Sequence, residues 1–386
     1  MFHKILIPCY SLAGHHLEYL LNFYHYASTD FSKEHKYVFT LVDDFKETFD
    51  RFPSQPNIEF DYIPTQDLKK LNIGNMYVVQ YKHNIVTRRY IKKHRPTNVL
   101  YLAFNYNFLL QSLMTIKGVK YSGILFRVYP YDFSSMSIRY KLHTILSHWG
   151  AVHNKWITNI FISNDTTGVA YLNKLYKTDK FKYVPDPYVP ISAMSNTYIN
   201  SNEVLLMKAK RVLFHFGSFR RGKGTVELLK AILLTPKDVA QQLCFILAGK
   251  VPDDLHDEIY SLVGQCSIHT TLIFHDEFCS FEYISEICRR SDFILMPYSQ
   301  SSSSSGMYGY AAQFGVPIVA PNKNMTRKIV RRNQLGILLD DISPKGLSEF
   351  YCTIPSREKY RVGTRYLETN TVAAFTDAIF SKIFVE

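Results

Sequence analysis

The sequence has no C-x-x-C pair, no internal repeat, no coiled-coil heptads and only two tryptophans in 386 residues. It also has no run of about eighteen apolar residues, the length that a membrane-spanning helix needs. Six cysteines (Cys9, Cys244, Cys266, Cys279, Cys288 and Cys352) are too sparse for a disulfide-stapled extracellular scaffold of this size, and five of them lie in the second half. Cys266, His269, His275 and Cys279 are close in sequence, but their spacing fits no zinc finger or ribbon, so reduced, buried thiols are expected. The first apolar run, Lys4-Ile5-Leu6-Ile7-Pro8, is too short for a secretory signal, and a cytoplasmic location is expected. Low complexity is confined to Ser301–Ser305.

Hydrophobic residues make up 46% of the chain and charged residues 20%, enough apolar material for sizeable cores and too much for a disordered polymer. At ~150 residues per domain, the length predicts two or three domains. Lys and Arg exceed Asp and Glu by 45 − 33 = 12. That excess favours an anionic partner: nucleic acid, a lipid surface or a phosphorylated small molecule.

Short apolar runs alternate with helical-period segments almost throughout. Lys4–Pro8, Tyr37–Val42, Val99–Ala103, Gly123–Val128 and Asn159–Ser163 read as strands in the first half. Val212–Phe216, Cys244–Ala248, Leu272–Phe274, Phe293–Met296 and Pro317–Val319 do so in the second. Their continuous apolar character is that of parallel strands covered on both faces by helices. Leu17–Ala27, Thr225–Leu234, Ser280–Arg289 and Gly309–Phe314 are helical candidates, and Val226, Leu229 and Leu233 predict one buried stripe. The pattern pauses after Val184-Pro185-Asp186-Pro187-Tyr188-Val189-Pro190, where three prolines and a polar stretch read as a linker. The fold class is therefore α/β, with two doubly wound domains: 1–190, a linker 191–205, and 206–368, followed by a terminal helix over 369–386.

Two segments carry chemistry. In the first, the strand ending at Phe216 runs into Gly217-Ser218-Phe219-Arg220-Arg221-Gly222-Lys223-Gly224-Thr225, a basic glycine-containing loop that opens a helix. Unpaired amides, a positive dipole end and three cations suit a phosphate or diphosphate, although neither a Walker loop nor G-x-G-x-x-G is present. A basic turn with glycine caps is the plain alternative. In the second, the strand ending at Pro297 leads through the serine run into Gly306-Met307-Tyr308-Gly309 and the Gly315-Val316-Pro317 turn. Amides and hydroxyls over Ser304–Met307 could face an anion. A flexible serine linker fits poorly between two buried strands.

Gly217…Lys223-Gly224-Thr225, Phe245–Lys250, Ser291–Pro297 and Gly315–Ala320, taken in order, resemble the C-terminal half of GT-B glycosyltransferases of the group 1, or family 4, type. The N-terminal half matches more loosely, through its first strand, the Gly14-His15-His16 turn and the exit at Tyr183–Pro187. The resemblance implies two Rossmann-like domains facing across a cleft, with a UDP- or GDP-sugar on the second and a glycan or lipid-linked acceptor on the first. It implies donor contacts from Gly217, Arg220, Arg221, Lys223, Gly249, Lys250, Ser302, Ser305, Gly306, Met307 and Tyr310. Phe278 lies in the loop that flanks the base in such folds. The last helix, near Thr371–Ile383, would cross back onto the first domain. Two glutamates that such enzymes often carry ahead of the G-x-P turn fall here at Ser302 and Tyr310, neither of which accepts hydrogen bonds as a carboxylate does.

In the first half, His15 or His16 could bind phosphate or an acceptor hydroxyl, serve as acid or base, or simply cap a helix. Arg127, a lone charge in an apolar strand, is either paired in the core or projects into the cleft. Lys82–Arg95 holds six Lys/Arg and no carboxylate, but its charges are poorly segregated for a membrane-surface helix; peripheral membrane contact through the basic first half stays open. No D-x-D triplet occurs, so no carboxylate pair for Mg²⁺ is evident; metal-independent transfer without a cofactor is expected, the nucleotide-sugar being a substrate. The competing readings are an inactive GT-B scaffold or nucleotide-sugar binding subunit, for which Ser302 and Tyr310 argue, and an epimerase or phosphorylase on the same architecture. Nucleic-acid binding is suggested by charge alone and is not expected.

Overall fold

Seven short segments form the first sheet: β1 (Lys4–Cys9), β2 (Lys36–Val42), β3 (Ile58–Ile63), β4 (Asn98–Tyr101), β5 (Lys120–Leu125), β6 (Ile157–Ser163) and β7 (Phe181–Val184). The computed structural model describes residues 2–10, 16–29, 34–104, 108–126, 131, 133, 136–190 and 200–385. The sheet order is β3-β2-β1-β4-β5-β6-β7, with every described pairing parallel. A second parallel sheet, in the order β10-β9-β8-β11-β12-β13, is built from β8 (Arg211–Phe216), β9 (Leu243–Ala248), β10 (Thr271–His275), β11 (Phe293–Leu295), β12 (Ile318–Pro321) and β13 (Gly336–Leu339). No helix among the described residues is long and apolar enough to cross a membrane.

The chain divides into two units, Met1–Pro187 with Thr371–Glu386, and Tyr188–Asn370. The terminal helix Val372–Ile383 belongs to the first. Its Phe375, Ile379, Phe380 and Ile383 are buried, with Phe375 stacked on Phe23 and Phe380 on Tyr26. Part of the stretch that reads as a linker is ordered: Ser201–Met207 is a helix of the second unit, started by Asn200, whose side chain accepts from the Asn202 amide. Of the rest, 191–199 lie outside the described residues.

Three strands absent from the sequence reading, β3, β7 and β13, are all sheet edges. All three are only partly covered; β3 and β7 carry charged residues that break the continuous apolar signature of the central strands, and β13 is a four-residue Gly-Ile-Leu-Leu run. On the helix Thr225–Leu234 the buried face is Leu228, Leu229, Ala231 and Ile232, with Val226 and Leu233 at its margin. The stripe expected from Val226, Leu229 and Leu233 is therefore rotated. The helix packs against the helices His256–His269 and Pro344–Cys352 as well as the sheet, which widens its apolar arc.

Three buried histidines couple this fold to pH. Burial pushes His83, His148 and His215 each down to about 4, against ~6.5 for an unfolded chain. Between those values the unfolded chain binds protons that the folded chain refuses, so stability is complete above ~6.5 and declines as pH falls toward 4. Each histidine should cost about 2 kcal/mol between pH 7 and 5. Urea unfolding at the two pH values should show this loss, and His215→Asn should flatten the response of the second unit. Identical midpoints at pH 7 and 5 would contradict it.

Candidate functional site

In the second sheet the chain runs outward from β8 through β9 to β10, then returns to place β11 on the other side of β8. The loops after β8 and β11 therefore leave in opposite directions, and such a reversal opens a crevice at the carboxyl ends of the strands. These two loops are the basic glycine loop and the serine-glycine loop.

They touch at several points. Gly224 caps the helix Thr225–Leu234 in the left-handed region, with φ 78°, and a Cβ there would lie 2.0 Å from the Pro297 carbonyl oxygen. The Gln300 amide donates to the Gly222 carbonyl at 3.4 Å. The Lys223 ammonium sits 3.8 Å from the centre of the Tyr298 ring, a cation–π contact. The Tyr298 hydroxyl donates to Met307 Sδ at 3.2 Å, at the start of the helix Met307–Phe314. Tyr298 thus links the cation of one loop to the helix that follows the other.

Below them, His215 at 1% exposure connects the two loop bases. Its Nδ1 faces the Leu295 carbonyl at 2.9 Å and its Nε2 faces Thr225 Oγ1 at 2.9 Å. Burial, reinforced by the charge of Lys223, keeps the ring neutral. The neutral tautomer that fits donates Nδ1–H to Leu295 and accepts from the threonine hydroxyl.

The other expected donor residues are placed as follows. Gly217 has φ 100°, and a Cβ there would meet nothing within 4 Å, so the demand for glycine is conformational and not steric. Close approach occurs instead at Gly249, whose added Cβ would fall 1.8 Å from the Gly217 carbonyl oxygen. Arg220 is exposed, whereas Arg221 pairs with Asp254 at 3.1 Å. Lys250 pairs with Asp276 at 3.1 Å. Burial alone would raise the Asp276 carboxyl, but the Val251 amide, Lys250 and Tyr260 together hold it below the usual range. Phe278 is 97% exposed on the loop after β10. Ser302, Ser305 and Met307 are buried, while Gly306 is exposed where it opens its helix. The Met307 amide lies 3.5 Å from Ser305 Oγ. Tyr310 packs its ring edge-on against Phe216, with centroids 5.1 Å apart.

In the first unit, His16 opens the helix His16–Ala27 and is buried, its Nδ1 3.4 Å from Cys9 Sγ at the end of β1. β1 and β4 flank the corresponding strand-order reversal of this sheet. His15 and Arg127 lie outside the described residues. Cys266, His269 and His275 have separate partners: the Leu229 carbonyl, the Thr235 carbonyl and Glu203.

Sequence reasoning missed Tyr298, His215 and Gln300. A tyrosine directly after a strand-ending proline was the available signal for the first. The other two are defined by a neighbouring strand and a facing loop, which spacing does not reveal.

No protein-family model matches the sequence, and no curated protein is recognisably similar to it. Solved structures do resemble it. The structure of Alr3699/HepE from Anabaena, in complex with UDP and glucose, matches with a TM-score of 0.69 at 12% identity over 99% of both chains. Sucrose-phosphate synthase from Thermosynechococcus elongatus matches at 0.71 and 12%, again over 99% of both. WaaG, a glycosyltransferase involved in lipopolysaccharide biosynthesis, matches at 0.65 and 14% over 98% of both. At such identities the likeness establishes the fold, which is GT-B.

Proposed function

We propose that this GT-B chain is a glycosyltransferase whose unit Tyr188–Asn370 binds a nucleoside-diphosphate sugar, UDP- or GDP-linked, and transfers the sugar to a glycan or lipid-linked acceptor. The observation that carries this reading is the junction of the two loops at the β8/β11 reversal, where Lys223 lies over Tyr298 beside the helix start at Gly306. The aromatic face positions the ammonium at the loop junction, where it would neutralise the diphosphate of a departing nucleotide. Arg220 and amides near Gly306 and Met307 add donors. Arg221 must leave Asp254 to take part, but an exposed pair of that kind holds it by only ~0–1 kcal/mol. Exposed Phe278 offers a ring on which a base can stack. In the first unit His16, with His15 and Arg127, supplies candidates for acid–base work on the acceptor.

The absence of D-x-D leaves charge neutralisation to these basic groups, so transfer is read as metal-independent. A second reading, a nucleotide-sugar binding scaffold without catalysis, draws on Ser302 and Tyr310: one is buried and the other packs on Phe216, and neither brings a carboxylate.

Thermal unfolding with UDP, GDP and ADP tests the reading. One diphosphate, present at a hundredfold excess over its dissociation constant, should stabilise the chain by about 2.7 kcal/mol. Added chelator should leave that shift unchanged. No shift with any nucleotide would defeat the proposal, and binding without slow hydrolysis of any donor sugar would favour the scaffold.

A further inference from the structure

The helix Ile138–His153 of the first unit is turned inside out relative to an ordinary surface helix. Its buried positions are Ser147, His148 and Ala151. Gly150 presses against the helix Phe108–Leu113, so closely that a Cβ would meet Ser112 Oγ at 2.5 Å. Asn154 Nδ2 then fastens the end of the helix by donating to the Ser112 carbonyl at 2.7 Å and to Thr115 Oγ1 at 3.0 Å. The outward positions are the apolar ones. Ile138, at 77% exposure, and Leu142, Ile145, Leu146 and Trp149 all face solvent. At 3.6 residues per turn, 138, 142, 145 and 149 form one stripe with 146 beside it. A contiguous exposed apolar stripe of this kind marks a contact surface. It continues to the start of the helix Met76–His94, where the Tyr77 ring meets His143 edge-on at 5.5 Å. Lys82 donates to the Lys70 and Ile73 carbonyls and so fixes the neighbouring loop, on which Ile73 is exposed.

The stretch of chain that carries this helix is strongly basic. Residues 68–164 contain fourteen Lys/Arg and a single carboxylate, Asp132. The remainder of the chain has 45 − 14 = 31 basic and 33 − 1 = 32 acidic residues, so the excess of +12 resides in this stretch. Arg139, Lys141 and Lys155 lie on or next to the helix itself. A second copy docked face to face would set these cations against their own kind, with only Asp179, at the helix end beside Lys180, to offset them. Nucleic acid would match the charge but not a stripe of isoleucine and leucine. The segment Lys82–Arg95, which composition alone suggests for membrane contact, is less suited: buried His83, Asn84 and Thr87 occupy its inner face, and Lys93 pairs with Asp61 at 2.6 Å.

We propose that the helix Ile138–His153 docks this protein on a membrane surface rich in anionic lipid. Ile138, Leu142, Ile145 and Trp149 enter the headgroup boundary, and Arg139 and Lys141 meet lipid phosphates. Trp149 is suited to that depth, where an aromatic ring has one apolar and one wet side. The proposal stands apart from the donor-site reading, because vesicle binding needs neither nucleotide nor acceptor.

The chain has two tryptophans, so Trp156→Phe leaves Trp149 as its sole reporter. Mixed phosphatidylcholine–phosphatidylglycerol vesicles should shift its emission to the blue and sediment the full chain, and added salt should weaken both effects. The pair Leu142→Glu and Ile145→Glu, at exposed positions, should reduce binding at least about tenfold. Arg139→Gln, which preserves the apolar stripe, should reduce it less. Absence of sedimentation, or equal binding by the doubly substituted chain, would overturn the proposal. So would a dimer in ultracentrifugation that the same pair of substitutions dissociates, which would assign the face to a second copy.

Discussion

Lys223→Ala should remove half or more of the thermal stabilisation given by a nucleoside diphosphate while leaving the empty protein folded. Hydrogen bonds to charged groups contribute about 1.5–3 kcal/mol, so affinity should fall by roughly 10- to 150-fold. The cost to the unliganded fold is the loss of one partly exposed cation–π contact on Tyr298, ~0.5–2 kcal/mol. Binding and stability therefore separate, and calorimetric titration beside a melting curve reads both. Arg221→Ala is the matched control: its guanidinium is engaged with Asp254 at the surface, and it should lose far less affinity. Tyr298→Leu removes the platform without removing the cation and should fall between the two. Equal affinity of Lys223→Ala and the parent chain would remove the basic loop from the site.

Gly249→Ala is expected to cost the second unit at least about 3 kcal/mol, because overpacking of this severity exceeds what rotamer shifts absorb. The new methyl would fall 1.8 Å from the Gly217 carbonyl oxygen, a backbone atom with no rotamer to change. The Gly217 amide is also bonded to Ala248 O, and the Gly249 amide to His275 O, so relief at one point strains the neighbouring strand ends. For a unit of this size, ~3 kcal/mol lowers the melting temperature by roughly 6–12 °C. Gly264→Ala supplies the opposite sign. That glycine is exposed within the helix His256–His269, an added Cβ meets nothing within 4 Å, and alanine should stabilise by about 0.5–1 kcal/mol. Similar melting temperatures for the two variants would show that the Gly217–Gly249 approach is looser than described.

The central strands were legible because they are buried on both faces. Residues such as Leu243–Ala248 have no polar side to show, and a continuous apolar run is then the whole signal. The edge strands β3 and β7 carry mixed sequences because each has one open side, and no local pattern separates them from loops. The inverted helix Ile138–His153 was illegible for a related reason: periodicity reveals an apolar stripe but not which side of it meets solvent.

The candidate site divides in the same way. The glycines and cations of the loop after β8 are local chemistry, visible because strand, turn and helix start are contiguous in the chain. Whether that loop meets the one after β11 depends on strand order, and hydrogen bonding between β8 and β11 across about eighty residues is a long-range choice that no window of sequence contains. From the linear order of residues alone came the alternation of parallel strands and helices, the basic excess and the two loops. The folded chain alone decided that Tyr298 bridges those loops, that Arg221 is engaged elsewhere, and that the apolar face of one helix points outward. Packing selects partners by proximity in space, and proximity is what the order of residues leaves open.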